Sequence, residues 1–412
     1  MAKKKLVEKQ VKTFPATGIL IVFAVVFGFI LTYFNRQIYG SQYFNDENKI
    51  IDYMQSESTL NQFTFFGGIG ANKDPNSGSF LFAAWLYSHL GLPDNPRIVS
   101  ILTYLLFVLF LFLIYPYQKL IKAAPSALVF FSFLIFFSTF YINMYTKEAF
   151  VTVLIFLFCM MIKIPGGEVA WIAIALLYAA GVRQYWFFVI AVYILMRALT
   201  ILFMHIKKLN SLFMLLLSAL LISFVLFYIV FPLAQEGQGL VVGNRISVNE
   251  NRDTSSVGSV IVDQNTGSSF PIQLYNYLYM FVTFVFPVTL LLRGSASYLL
   301  YFFIFAGVWS FVFINYNFVF KKIKLGYSSK NLRLATKCFA LAYSYLLVQI
   351  TFEPDYGSYI RHLLSVLLAV FFALKLIQDD RKKNSLTYNG RRRVIKEVRI
   401  IRQPTSEEVH TQ

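Results

Sequence analysis

Charge is the first thing this chain is short of. Only 14% of its 412 residues are Asp, Glu, Lys or Arg, against about a quarter in a soluble domain. Negative charge is scarcer still, with 20 acidic residues against 37 basic ones. Such a chain cannot clothe a soluble surface, and that class is excluded. Cysteine is nearly absent: Cys159 and Cys338 lie in or at the edge of apolar runs, so neither a disulfide framework nor a thiolate metal site follows. The histidines (His89, His205, His362, His410) are scattered without ligand spacing, and they alone give no metal site. No repeat of fixed 20–50-residue period is visible, which counts against a solenoid.

What is present is apolar sequence. Hydrophobic residues make up 57% of the chain, and several runs reach the ~20 residues that span a bilayer. The fold expected is an all-α polytopic integral membrane protein of about ten transmembrane helices. Residues 1–378 form one transmembrane domain, with large extracytoplasmic loops at about 35–97 and 234–296, and residues 379–412 form a basic cytoplasmic tail. The net charge of +17 does not imply a nucleic-acid partner. The basic residues cluster at Lys3–Lys5, Lys119–Lys122, Lys207–Lys208, Lys321–Lys337 and Arg381–Arg402, each just past an apolar run, which is the positive-inside pattern.

Taken in order, Phe14–Phe34 reads as a retained first span with a cytoplasmic N-terminus, since no small-residue cleavage site follows it. Phe80–Leu92 is too short to cross and reads as an interfacial helix on the outer face. Ile98–Tyr115, Ser126–Met144, Ala149–Ile164, Val169–Val182, Trp186–Met204 and Leu212–Leu233 then alternate across the membrane. A loop from Ala234 to about Phe270, with short strands expected near Ser259–Val262, follows outside. Parity makes Pro271–Leu292 re-entrant or interfacial, because a full crossing would put the basic Lys321–Lys337 segment and the tail outside. Ser297–Phe320, Cys338–Thr351 and Leu363–Ile377 complete the spans, with both termini cytoplasmic.

This topology gathers charged residues from separate connections on the outer face: Asp46, Glu47, Lys147, Glu148, Arg183, Arg293, Glu353, Asp355, Arg361 and His362. Arginine forks bind phosphate bidentately, and a carboxylate can take the proton from an attacking sugar hydroxyl. Asp46 or Glu47 is expected as base, with Glu148 behind them. Arg361 and Arg183 lead as phosphate partners, with Lys147, His362, Glu353 and Asp355 lining the substrate. Plainer readings stand beside these. Arg183 and Arg361 serve equally as snorkelling anchors, Lys147-Glu148 as a helix N-terminal turn, and His362 as a structural hydrogen-bonder. Tyr275, Tyr277 and Tyr279 fit interface packing better than sugar stacking. Gly67–Gly70 lacks the strand and helix context of a phosphate loop.

A first span followed by an outer loop that opens with the acidic pair Asp46-Glu47 and carries an interfacial helix resembles the polyprenyl-phosphate-sugar glycosyltransferases of the GT-C type. The turn Tyr145-Thr146-Lys147-Glu148 resembles the second acidic position of that group. The overall layout is also similar to bacterial O-antigen and capsular polysaccharide polymerases, although Arg245 and Arg252 lack a clear polymerase arginine-glycine spacing. The resemblance implies a bacterial inner-membrane enzyme of cell-surface polysaccharide assembly. Its ligands would be a polyprenyl-(di)phosphate-linked saccharide and an acceptor glycan, with the lipid bilayer around it and other assembly proteins beside it. No cofactor is expected, and a divalent metal is left open. A transporter or flippase of lipid-linked oligosaccharide and a non-catalytic assembly scaffold are the alternatives.

Overall fold

The computed structural model describes residues 2–40, 44–60, 77–92, 95–206, 217–218, 220–221, 270–292, 295–327, 329–353 and 355–401, and among these no β-strand occurs. The expected span Leu212–Leu233 and the loop that follows it, with Arg245, Arg252 and Ser259–Val262, fall almost wholly outside the described residues. So do Gly67–Gly70 and Arg293.

Helix α1 runs Ala2–Tyr33. A head region follows, made of α2 (Asn35–Ile38), α3 (Asn45–Gln55), α4 (Glu57–Leu60) and α5 (Ser77–His89). The bundle then continues through α6 (Pro96–Ile114), the short α7 (Tyr117–Leu120), α8 (Pro125–Tyr141), α9 (Glu148–Met161), α10 (Gly167–Gly181) and α11 (Trp186–His205). After the long undescribed segment come α12 (Phe270–Val285), α13 (Val288–Leu291), α14 (Ala296–Lys324), α15 (Lys330–Phe352) and α16 (Tyr356–Ile401). Six of these contain stretches long and apolar enough to cross a membrane, in α1, α6, α11, α14, α15 and α16.

The hairpin of α15 and α16 is the centre. In both, 89% of the crossing window is buried inside the protein, against 22% in α1 and α14, which present their leucine and phenylalanine side chains outward. Small residues on the hairpin let neighbours approach closely: Ser365 on α16 sits 2.9 Å from Thr152 of α9. Capping marks the helix ends. Pro96 and Pro125 occupy first turns, where a missing N–H costs nothing, and the Ser329 hydroxyl accepts from Leu332 N at the start of α15.

Chain direction sorts the polar groups to two ends. At the foot, Lys119 and Lys375 each lie 2.9 Å from the Asp379 carboxylate, and Glu168 meets Lys337 at 2.5 Å and Arg197 at 3.2 Å. At the head, α2 to α5 pack over the ends of the bundle helices, with Ile50, Phe80, Ala83, Ala84, Tyr87, Val99 and Tyr145 forming a small second core. The loop expected at about 35–97 is therefore largely helical in its described residues, and the expected interfacial helix Phe80–Leu92 is α5, seated on α3.

From Tyr277 on, the segment expected as re-entrant lies near the head. The hydroxyl of Tyr277 in α12 donates to Leu347 O, five residues from the end of α15. Phe284, two turns on, packs on Tyr359 in the first turn of α16, and Thr289 of α13 lies 2.8 Å from the Tyr356 hydroxyl. Tyr277 is thus a packing residue. The tail differs from a simple appendage: α16 runs unbroken for 46 residues to Ile401, about 69 Å at 1.5 Å per residue.

Candidate functional site

Two layers of charge meet at the head, one above the other. The upper layer pairs α3 with α16. Arg361 Nη1 donates to Asp46 Oδ2 at 2.5 Å, with both side chains partly open, at 24% and 29% exposed. Asp46 lies in the first turn of α3, where the helix dipole favours an acid. Its neighbour Glu47 points the other way. That side chain is fully buried, pairs with Arg36 of α2 at 2.5 Å, and accepts from Tyr145 N at 3.2 Å.

The lower layer lies among the ends of α9, α10, α11, α15 and α16. Arg183 Nη2 donates to Glu148 Oε1 at 2.8 Å, and its Nη1 donates to the Tyr185 hydroxyl at 3.1 Å. His362 Nε2 lies 2.7 Å from the same Glu148 oxygen and 3.2 Å from Arg183 Nη2, while its Nδ1 contacts Glu353 Oε1. A ring protonated on both nitrogens serves both carboxylates; a ring lacking the Nε2 proton accepts from Arg183 instead. Thr146 Oγ1 donates to Glu148 Oε2 at 2.6 Å and accepts from Glu148 N at 3.2 Å. The N-terminal-turn reading of Lys147-Glu148 therefore holds together with the charged contacts.

Adjacent positions on one helix feed the two layers: Arg361 serves the upper and His362 the lower. The snorkelling reading fails for Arg183, which is 6% exposed and directed inward. Asp355 is drawn away from the cluster. Its carboxylate accepts from Ser358 N at 2.8 Å and from the Ser358 hydroxyl at 3.3 Å, which caps α16. Glu353 does not face the opening but orients His362.

Electrostatics separates the candidate bases. Burial pushes the Asp46 carboxyl up, but Arg361 and then Lys147 outweigh it and hold the group below its ordinary range. Burial raises Glu47, and Arg36 offsets only part of that. Asp46 thus stays ionised and open, whereas Glu47 and Glu148 are sealed. Burial, followed by the Arg183 charge, lowers Lys147 to about 8. Its ammonium rests 3.8 Å from the centre of the Phe80 ring.

Several contributors escape the sequence. Arg36 carried one usable signal, a lone arginine just past the first span on the side opposite the basic clusters. Lys49, Thr146, Tyr87 and Tyr185 carried none, because their placement depends on which helices meet. Gln349 lies one turn past Tyr345 on α15, just before Glu353 at the helix end, and is fully buried, its amide atoms without a partner among the described residues. Among the described residues no group of three or more His, Cys, Asp or Glu side chains is arranged to hold a metal.

Apolar helices around a buried hairpin, with the ion pairs of the described residues at its two ends, define an all-helical multi-pass membrane protein. No protein-family model, no curated protein and no solved structure matches the chain.

Proposed function

We propose that this protein is a membrane glycosyltransferase or polymerase of cell-surface polysaccharide assembly. It would act at the outer face of a bacterial inner membrane on an undecaprenyl-linked sugar or repeat unit. In this reading about ten helices cross the membrane, the head faces outward, and the foot with the basic tail faces the cytoplasm. Asp46 takes the proton of the acceptor hydroxyl as its oxygen attacks the anomeric carbon, and the bond to the lipid phosphate breaks with its electrons leaving on the phosphate oxygen. Arg361 moves from Asp46 to that phosphate as the charge develops.

The observation that carries the reading is the Asp46–Arg361 pair itself. It joins an ionised, partly open carboxylate to a guanidinium at a helix end of a membrane bundle. Arg183, Glu148, Glu353 and His362 support it from beneath by fixing the second turn of α16, on which Arg361 stands. The flippase alternative asks for charge along the bundle, whereas the ion pairs of the described residues gather at its two ends.

The test extracts lipid-linked saccharides from cells carrying wild type, Asp46→Asn or Arg361→Lys and measures them by mass spectrometry beside the surface polymer. Expected is accumulation of the lipid-linked donor and loss of polymer in Asp46→Asn, with normal amounts of inserted protein. Unchanged polymer and an unchanged lipid-linked pool in that variant would sink the transferase reading.

A further inference from the structure

Two lysines at the head, Lys49 on α3 and Lys147 in the α8–α9 turn, make no ion pair with a carboxylate among the described residues. Both instead approach one ring. Lys147 Nζ lies 3.8 Å and Lys49 Nζ 4.7 Å from the centre of Phe80, which is 6% exposed and fixed in the small core of α3 and α5. A ring quadrupole attracts each ammonium but leaves its positive charge unneutralised. Asp46 stands one turn before Lys49 on α3, yet it is committed to Arg361. Arg361 also keeps one donor unspent, since its Nε is buried without a partner among the described residues. The α3 helix and the α8–α9 turn thus bring two ammonium groups to one ring, and the Lys147 charge reaches Asp46. Arg183 is spent by comparison, its two terminal nitrogens bonded to Glu148 and Tyr185.

We infer that Lys49 and Lys147, held by Phe80, form an anion subsite that takes a phosphate or diphosphate group beside the Asp46–Arg361 pair. An anion there accepts from ammonium groups that no carboxylate among the described residues pairs with, and charge-assisted bonds of this kind are the strong ones. The phosphate partners at this site are then Lys49 and Lys147 with Arg361, while Arg183 is a positioning residue. The inference rests on the transferase reading only for which anion arrives.

Lysine acetylation of the purified full-length protein, read residue by residue by mass spectrometry, tests this. Lys147, lowered to about 8, is reactive near that pH, and a bound anion shields it. Inorganic pyrophosphate is expected to slow modification of Lys49 and Lys147 together, about tenfold at ten times its dissociation constant, while Lys330 at the foot is unaffected. Protection by phosphatidylglycerol vesicles but not by pyrophosphate would assign the subsite to a membrane-borne phosphate. No protection by either, or equal protection by sodium chloride of the same ionic strength, overturns the subsite. Lys147→Arg should retain protection at Lys49, and Lys147→Met should lose it. Protection in a protein that transfers no sugar keeps the subsite and removes the transferase reading. Transfer left unchanged by Lys49→Met and Lys147→Met, with no protection in wild type, does the reverse.

Discussion

Arg361 Nη1 lies 2.5 Å from Asp46 Oδ2, although 315 positions separate the two residues in the chain. The contact ties the head region to the central hairpin. It also puts one carboxylate and one guanidinium where an incoming group can reach both. Asp46→Asn removes the proposed base and leaves the fold of α3 in place. Sugar transfer should fall by about a hundredfold or more, the usual scale for a positioned general base, with inserted protein unchanged on a membrane immunoblot. Arg361→Lys keeps the charge and loses the fork, so activity should fall without vanishing. Full activity in both would remove the pair from the chemistry.

Glu148 makes a different prediction because it is sealed. Glu148→Ala strands Arg183, which is 6% exposed, and unpairing a buried charge costs about 3–5 kcal/mol. A clear drop in the melting temperature of the detergent-solubilised protein is expected, with Glu148→Gln milder because its amide oxygen still accepts from Arg183. An unchanged melting temperature with lost activity would move Glu148 from scaffold to chemistry.

Asp46 and Lys147 both make stability rise with pH, each in its own window. The Asp46 carboxyl is held below its ordinary range, so its stabilising contribution is present at neutral pH and is lost as pH falls through the lowered value. Lys147 is held at about 8, and between there and the ordinary lysine value, about 10.4, the unfolded chain holds the extra proton. Stability therefore rises with pH across that window. The difference in melting temperature between wild type and Lys147→Met should climb above about pH 8 and be flat below it. A flat difference throughout would mean that the Lys147 charge is not penalised by its surroundings.

How much of this is legible in the sequence depends on what each feature rests on. Helix positions follow from runs of apolar residues, so α6, α8, α9, α10 and α11 fall within a few residues of where hydropathy puts them. The gathering of Asp46, Glu148, Arg183 and Arg361 at one end follows from counting crossings and from where lysines cluster. The pairing does not. Asp46 and Glu47 are adjacent and chemically alike, and only the rotation of α3 sends one to Arg361 and buries the other with Arg36. The cap made by Asp355 has a local signature, an acid three residues before a serine N–H. The helical head was hidden because α3 is polar and reads as loop.

Gly28 offers a test of how α1 is held. A Cβ there would meet Ile135 Cγ2 at 2.5 Å and the Tyr104 hydroxyl at 2.8 Å, so α1, α8 and α6 touch at this point. Gly28→Leu should push α1 outward and break the bond from the Tyr104 hydroxyl to Val25 O. Overpacking of this kind costs about 1–3 kcal/mol, visible as a lower melting temperature. No change would mean that α1 is not packed at Gly28 as described.

Everything assigned to Asp46 and Arg361 depends on the side of the membrane they face. Both native cysteines are buried, so a single introduced thiol reports alone. Asn48→Cys, exposed on α3, and Lys330→Cys, exposed at the foot, are to be treated with a membrane-impermeant maleimide in intact spheroplasts and again after permeabilisation. Labelling of Asn48→Cys in intact spheroplasts, with Lys330→Cys labelled only after permeabilisation, is the predicted result. The reverse pattern would place the site in the cytoplasm and contradict the account.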